Sequence, residues 1–150
     1  MRVVLQRVSE ASVSINKELK SEIKQGLVAL LGVCPNDSVD DINWLCKKIC
    51  NLRIFSDPSG KMNYSLLDIS GDLLLVSQFT LFASTKKGNR PSYLSSASPE
   101  IAIPLYQEFI NCIELELKKP ISTGVFGADM QVSLVNDGPV TIQLDSKSRT

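Results

Sequence analysis

Leu73-Leu74-Leu75-Val76-Ser77-Gln78-Phe79-Thr80-Leu81-Phe82 is apolar at both ends and polar in its middle. Gly71-Asp72 precedes it and Ala83-Ser84-Thr85 follows. A run of Leu, Val and Phe of this length, bounded by turn-forming residues, reads as a strand covered on both faces. Such a strand has little reason to carry Ser77, Gln78 and Thr80, because a buried hydroxyl or amide without a partner costs about 1–3 kcal/mol. Either these groups are hydrogen-bonded inside the fold, or the strand lines a pocket and they face a ligand.

The segments around it set the fold class. Residues 2–8 alternate as a strand, with Val4, Gln6 and Val8 on one side and Val3, Leu5 and Arg7 on the other. Arg7 is out of place beside Val3 and Leu5: either that side meets solvent near Arg7, or Arg7 reaches a specific acceptor. Residues 11–15 give a second short strand, Asn16-Lys17-Glu18 a turn, and residues 19–23 the return. Residues 27–33 read as a buried strand. Asp37 or Ser38 caps a helix to about Asn51, with Asp40 and Asp41 in its first turn and Lys47 and Lys48 near its last, as the helix dipole favours. Its apolar face is Ile42, Leu45, Cys46 and Ile49. Residues 52–55 read as a short strand. Ser98 caps a second helix with Pro99 in its first turn, and Ile101, Leu105, Phe109, Cys112, Ile113 and Leu117 supply its buried stripe up to Pro120. Gln131 to Val135 and Val140 to Leu144 read as two strands joined by a hairpin turn at Asn136-Asp137-Gly138-Pro139. The polar tail, residues 145–150, is expected to fray. Many strands and two helices, without βαβ alternation, imply an α+β fold: a largely antiparallel sheet or small barrel with two helices packed outside.

Composition narrows the chemistry. The chain has 150 residues, 43% hydrophobic and 21% charged, which suits one domain with one core. No apolar run approaches the ~20 residues of a membrane span, and the start lacks the features of a signal peptide, so a cytoplasmic protein is expected. Lys plus Arg equals Asp plus Glu, 16 each, so no global field draws in a polyanion. A nucleic-acid partner would have to be gripped by local clusters: Lys86, Lys87 and Arg90; Lys17, Lys20 and Lys24; or Lys118 and Lys119. There is no histidine, which removes the commonest general base and metal ligand and every hydrolase built on Ser-His or Cys-His. The four cysteines, Cys34, Cys46, Cys50 and Cys112, contain no C-x-x-C pair. They read as small buried hydrophobes in a reducing compartment, and no metal or cofactor is expected.

Asn136-Asp137-Gly138-Pro139 allows a second reading. Proline has no N–H to give a sheet, and an X-Pro bond tolerates the cis form. A rigid Gly-Pro tip offers two carbonyls and almost no side chain. It reads a side chain poorly but can reject a group on the wrong side of a small chiral centre.

Four collinear stretches carry a resemblance. Ser77-Gln78-Phe79-Thr80-Leu81, Lys87-Gly88-Asn89-Arg90-Pro91-Ser92, Thr123-Gly124-Val125-Phe126-Gly127-Ala128-Asp129-Met130 and Asn136-Asp137-Gly138-Pro139-Val140-Thr141 resemble the signatures of the D-aminoacyl-tRNA deacylase family. Residues 2–8, Leu52-Arg53-Ile54-Phe55 and Gly60-Lys61-Met62-Asn63 do so as well. The resemblance covers residues 1 to about 145, in order. It implies hydrolysis of the ester between a D-amino acid and the 3′-terminal adenosine of tRNA, with glycyl-tRNA also a substrate in principle. It implies a homodimer with two sites near the subunit interface and no cofactor. By the same resemblance, Ser77, Gln78, Phe79 and Thr80 line the catalytic pocket, with Phe126 and Met130 among the substrate-binding residues. Gly138 and Pro139, joined by a cis bond, form a chiral filter inserted into the partner's pocket, and Arg7 holds that filter in place. Thr80 is the tempting nucleophile, but nothing supplies a base to activate it. The family's account leaves the proton work to the substrate's ribose 2′-OH, with backbone N–H groups around Phe79 and Thr80 stabilising the oxyanion.

Two other classes compete. One is a dimeric nucleic-acid-binding module that grips phosphates through residues 86–90, which steep salt dependence would betray. The other is a small-molecule esterase using Thr80 or Ser77, which the lack of histidine disfavours.

Overall fold

In the computed structural model, which describes residues 1–149, the alternation at residues 2–8 and 11–15 runs on as one strand, β1 (Arg2–Ile15). It is longer than the two strands expected because three partners share it. β2 (Glu18–Ile23) and β3 (Gly26–Gly32) pair antiparallel with successive halves of one edge, and β8 (Gln131–Asp145) takes the other edge over nearly its whole length.

Three of the five pairings in the main sheet are antiparallel, in keeping with a largely antiparallel sheet, but the sheet is mixed and the expected absence of βαβ units needs correcting. β3 runs parallel to β6 (Asp72–Ser77), and β6 parallel to β7 (Ser122–Thr123). Parallel neighbours need a long crossover. α1 (Val39–Asn51) lies in the first and α2 (Pro99–Leu117) in the second. Both helices therefore serve βαβ connections, which the irregular segments beside them hide in the sequence. The sheet nearly closes on itself: Ser21 Oγ donates to Thr123 O at 2.9 Å, and Ser122 Oγ donates to Glu22 O at 3.3 Å.

β6 is apolar on both faces, as its sequence requires. Leu73 and Leu75 join the core between sheet and helices, with Phe109 and Ile113. Leu74 and Val76 join the barrel interior, with Val8, Val13 and Val28. The strand nevertheless ends at Ser77, short of the expected Phe82. Gln78 turns the backbone away and Phe79–Phe82 form a single 3-10 turn. Gly32 makes this turn possible, since a Cβ there would lie 3.0 Å from Gln78 O and 3.1 Å from Leu81 Cβ.

α1 buries Ile42, Leu45, Cys46 and Ile49 as expected, together with Asp41 and Cys50. α2 is rotated from the expected phase: Ala102 and Tyr106 turn inward with Phe109, Ile113 and Leu117, while Ile101 is exposed. Leu105 and Cys112 are half-buried. α2 is apolar on most sides, so periodicity alone sets its phase poorly. Residues 52–54 are irregular, and only β4 (Phe55–Ser56) pairs, with β5 (Met62–Tyr64). All four cysteines are free, with Cys46 and Cys50 buried and Cys34 and Cys112 half-buried. Burial pushes the Cys50 thiol up to about 12.

Residues 145–149 of the tail expected to fray are tied down, and Thr150 lies outside the described residues. Ser146 N donates to Met1 O at 2.9 Å, Lys147 Nζ to Asp41 Oδ2 at 2.7 Å, and the Arg149 guanidinium sits 4.9 Å from the Trp44 ring centre. Asp41 also accepts from Ser38 N at 2.8 Å, closing the cap of α1. Burial would raise the Asp41 carboxyl, but its bonds with Lys147, Ser146 and Ser38 win and hold it well below the usual carboxylate range. A carboxyl depressed in the folded state stabilises fully above its unfolded value of about 3.9, and that stabilisation is lost as pH falls through the acid range. Asp41→Asn should therefore cost about 1–3 kcal/mol at pH 7. In denaturant titrations the gap to wild type should begin to narrow only below about pH 4 and keep narrowing as the pH falls further; a gap as wide at pH 2 as at pH 7 would contradict this.

Candidate functional site

A groove of about 600 Å³ opens where β6 ends. Ser77, Gln78 and Phe79 form one wall, the start of α2 with Ala102 and Tyr106 another, and Phe126 to Met130 a third. The strand's polar residues thus stand where its pairing stops, beside open space. Ser77 continues the row of Leu73 and Leu75 on the helix side of β6. β7 then carries the chain back parallel to β6, and Gly124 N extends the ladder to Leu75 O at 3.1 Å, which delivers the following loop to the groove.

Gln78 Nε2 donates to Thr80 Oγ1, so the hydroxyl faces an amide, which cannot take its proton. Asp129 is the only carboxylate lining the groove, and its side chain accepts no hydrogen bond among the described residues. Among the described residues, lysine, arginine and cysteine are absent from the lining. The backbone amides of Phe79 and Thr80, which open the 3-10 turn, have no acceptor among the described residues. They are free donors beside the groove. No group of His, Cys, Asp or Glu among the described residues could hold a metal ion, and no described helix is long and apolar enough to cross a membrane.

Two aromatic pairs finish the groove. Tyr106 stands edge-on to Phe126, ring centres 5.6 Å apart, and donates its hydroxyl to Leu75 O at 3.2 Å. Burial pushes this phenol up to about 12, so it stays a neutral donor. At the rim, Phe79 meets Tyr93 edge-on at 5.0 Å, and both remain exposed. Tyr106 and Tyr93 were not among the residues singled out from the sequence. A tyrosine on an otherwise apolar inward row of α2 was the available signal.

Arg7, Gly138 and Pro139 do not line this groove. The expected hairpin at residues 136–139 is absent, because both halves of β8 pair with β1. Gln6 faces Thr141 and Val8 faces Asn136, so residues 137–140 bulge out opposite Arg7 alone. Asn136 Oδ1 accepts from Val140 N at 3.1 Å, and Asn136 Nδ2 and Thr141 Oγ1 both donate to Gln6 Oε1, at 2.5 and 3.0 Å. These bonds close the base of the bulge. Arg7 is buried and reaches specific acceptors: Nε donates to Asp137 O at 2.9 Å and Nη1 to Ile54 O at 2.6 Å. The Gly138-Pro139 bond is cis, and both residues are exposed at the tip.

Comparison with known proteins agrees across the chain. A family model described as D-Tyr-tRNA(Tyr) deacylase matches residues 4–145. The D-aminoacyl-tRNA deacylases of Flavobacterium psychrophilum and Azobacteroides pseudotrichonymphae are 58% and 60% identical to it over 149 residues, 99% of each chain. A solved structure of the c-Myc DNA Unwinding Element Binding Protein superposes with a TM-score of 0.92 at 40% identity, covering 97% of this chain and 98% of that one. A probable eukaryotic D-amino acid tRNA deacylase shares the fold, with a TM-score of 0.80 at 16% identity, covering 95% of this chain and 97% of that one.

Proposed function

This chain belongs to the D-Tyr-tRNA(Tyr) deacylase family, and we propose that its groove holds the 3′-terminal adenosine of a D-aminoacyl-tRNA and places the ester beside Ser77, Gln78, Phe79 and Thr80. The activity is that of its relatives: hydrolysis of the ester bond of D-aminoacyl-tRNA. The observation that carries the site is the pair of unpartnered amides on Phe79 and Thr80 beside a groove in which the Thr80 hydroxyl meets the Gln78 amide and not a base.

In this reading water attacks the ester carbonyl carbon. The carbonyl oxygen gains charge and is met by the Phe79 and Thr80 amides. The ribose 2′-OH relays the proton to the departing 3′ oxygen, and the tetrahedral intermediate collapses to free D-amino acid and tRNA. Thr80 positions the substrate and is never acylated, since Gln78 donates to its hydroxyl and activates nothing.

Chirality is read by the tip. Gly138 and Pro139 point away from their own chain and lie off its groove, which suits a homodimer in which each tip enters the partner's groove. An L side chain would then meet the tip's carbonyls, while a D side chain points outward. Glycine offers nothing to reject, so glycyl-tRNA is cleaved as well. An enzyme with this substrate works in the cytoplasm.

The purified protein should cleave D-tyrosyl-tRNA in preference to L-tyrosyl-tRNA by at least about a hundredfold in kcat/KM. Thr80→Ala should stay within about tenfold of wild type. Equal cleavage of both esters would end the chiral reading. An inactive Thr80→Ala with intact substrate affinity would restore Thr80 as nucleophile.

A further inference from the structure

Residues 84–92 leave the groove rim as an exposed loop. It is pinned at its base by two hydrogen bonds, Ser84 N to Ser92 O at 2.8 Å and Ser92 N to Ser84 O at 2.9 Å. The next residue is Tyr93, whose ring packs on Phe79 at the rim. Lys86 and Arg90 are each two residues beyond the bridge, at most about 7 Å of backbone from it.

The charge of this loop is unlike that of the other lysine clusters. Lys17, Lys20 and Lys24 are interleaved with Glu18 and Glu22, and Lys118 and Lys119 follow Glu114 and Glu116. Lys119 also pairs with Asp72 at 2.8 Å. Between Asp72 and Glu100 there is no acidic residue at all. Lys86, Lys87 and Arg90 make no hydrogen bond or ion pair among the described residues. Three neighbouring cations without counter-charge repel one another within a Debye length of about 8 Å. The fold keeps them together at one end of the groove and nowhere compensates them.

Exposed cations beside exposed rings are the combination that grips single-stranded nucleic acid: the cations take the phosphates, and the rings offer a face on which a base can stack. Phe79 is 56% exposed and Tyr93 38%. A terminal adenosine seated in the groove must be followed by its own strand, and the exposed rings of Phe79 and Tyr93 offer that strand a way out over this rim. Resting on the deacylase reading, we infer that Lys86, Lys87 and Arg90 hold the backbone phosphates of the single-stranded 3′ end of tRNA, next to the terminal nucleotide. The loop thereby supplies affinity for tRNA that a free aminoacyl-adenosine cannot use.

The test compares two substrates, D-tyrosyl-tRNA and D-tyrosyl-adenosine, for wild type and the triple variant Lys86→Gln, Lys87→Gln, Arg90→Gln. On tRNA the variant should lose about tenfold or more in kcat/KM at low salt. Its slope of log kcat/KM against log salt should shrink by about 2, at about 0.7 per phosphate contact. On the adenosine ester it should match wild type. Wild type that cleaves both esters, with a variant unimpaired on tRNA, overturns the phosphate contact alone. Equal loss on both esters assigns the loop a structural role and also overturns it. Short duplex DNA that competes as well as uncharged tRNA assigns the cations to DNA and overturns it too. Wild type that cleaves neither ester overturns the deacylase reading and this inference with it.

Discussion

Arg7→Ala should lower kcat/KM on D-tyrosyl-tRNA by at least about a hundredfold, or about 2.7 kcal/mol, while leaving the groove residues in place. The side chain is buried and ties three parts of the molecule: β1, the carbonyl of Ile54, and the carbonyl of Asp137 beside the tip. Alanine would leave the Ile54 carbonyl without a donor in a buried setting, at about 1–3 kcal/mol, and hand the Asp137 carbonyl to solvent. It would also remove the guanidinium that fills the space under residues 137–140. Part of the loss falls on stability, so the melting temperature should drop as well. Part falls on the tip, which would no longer be held in one position. Arg7→Lys separates these effects, because a lysine keeps the charge but cannot serve two divergent carbonyls with a planar fork. It should recover more stability than activity. If Arg7→Lys is as active as wild type, the fork is not what fixes the tip.

The reach of the sequence is clearest at Arg7 and poorest at the tip. A guanidinium on the same side as Val3 and Leu5 demands an acceptor, and the acceptors exist. Ser77 and Gln78 were legible for the same reason: polar groups in an apolar strand need partners or a ligand, and the structure sets them at a groove. The end of β6 was not legible, because Gln78 turns over Gly32, which is far away in sequence. Asn136-Asp137-Gly138-Pro139 carries every local signal of a hairpin. Only the shared partner β1 converts it into a bulge, and strand sharing leaves no local trace. The mixed sheet was missed likewise, since each crossover holds irregular chain beside its helix. Tyr106 entered the groove because α2 is apolar on most sides and its phase is set by packing against the sheet.

Gly138→Ala should weaken the preference for the D ester with less damage to the fold than Arg7→Ala. Gly138 has φ +130, a region that L side chains rarely adopt, and an added Cβ would lie 2.8 Å from both Arg7 Nη2 and Val140 Cγ2. Arg7 cannot yield cheaply, because its Nε and Nη1 are already committed. The backbone of the bulge must therefore move. Asn136, Thr141 and Gln6 still close its base, so the displacement is confined to the tip. The ratio of kcat/KM for D- and L-tyrosyl-tRNA should fall by about tenfold or more, and an unchanged ratio would mean that the tip does not read the substrate. The same variant tests where each tip acts. Gln78→Ala damages a groove and Gly138→Ala damages a tip. If a site combines one copy's groove with the partner's tip, mixing the two variants in equal amounts rebuilds one intact site in each mixed dimer. About half the dimers are then mixed and each has one of two sites intact, so about a quarter of all sites should regain the preference for the D ester. If groove and tip of the same chain make the site, no mixture of these variants can recover it.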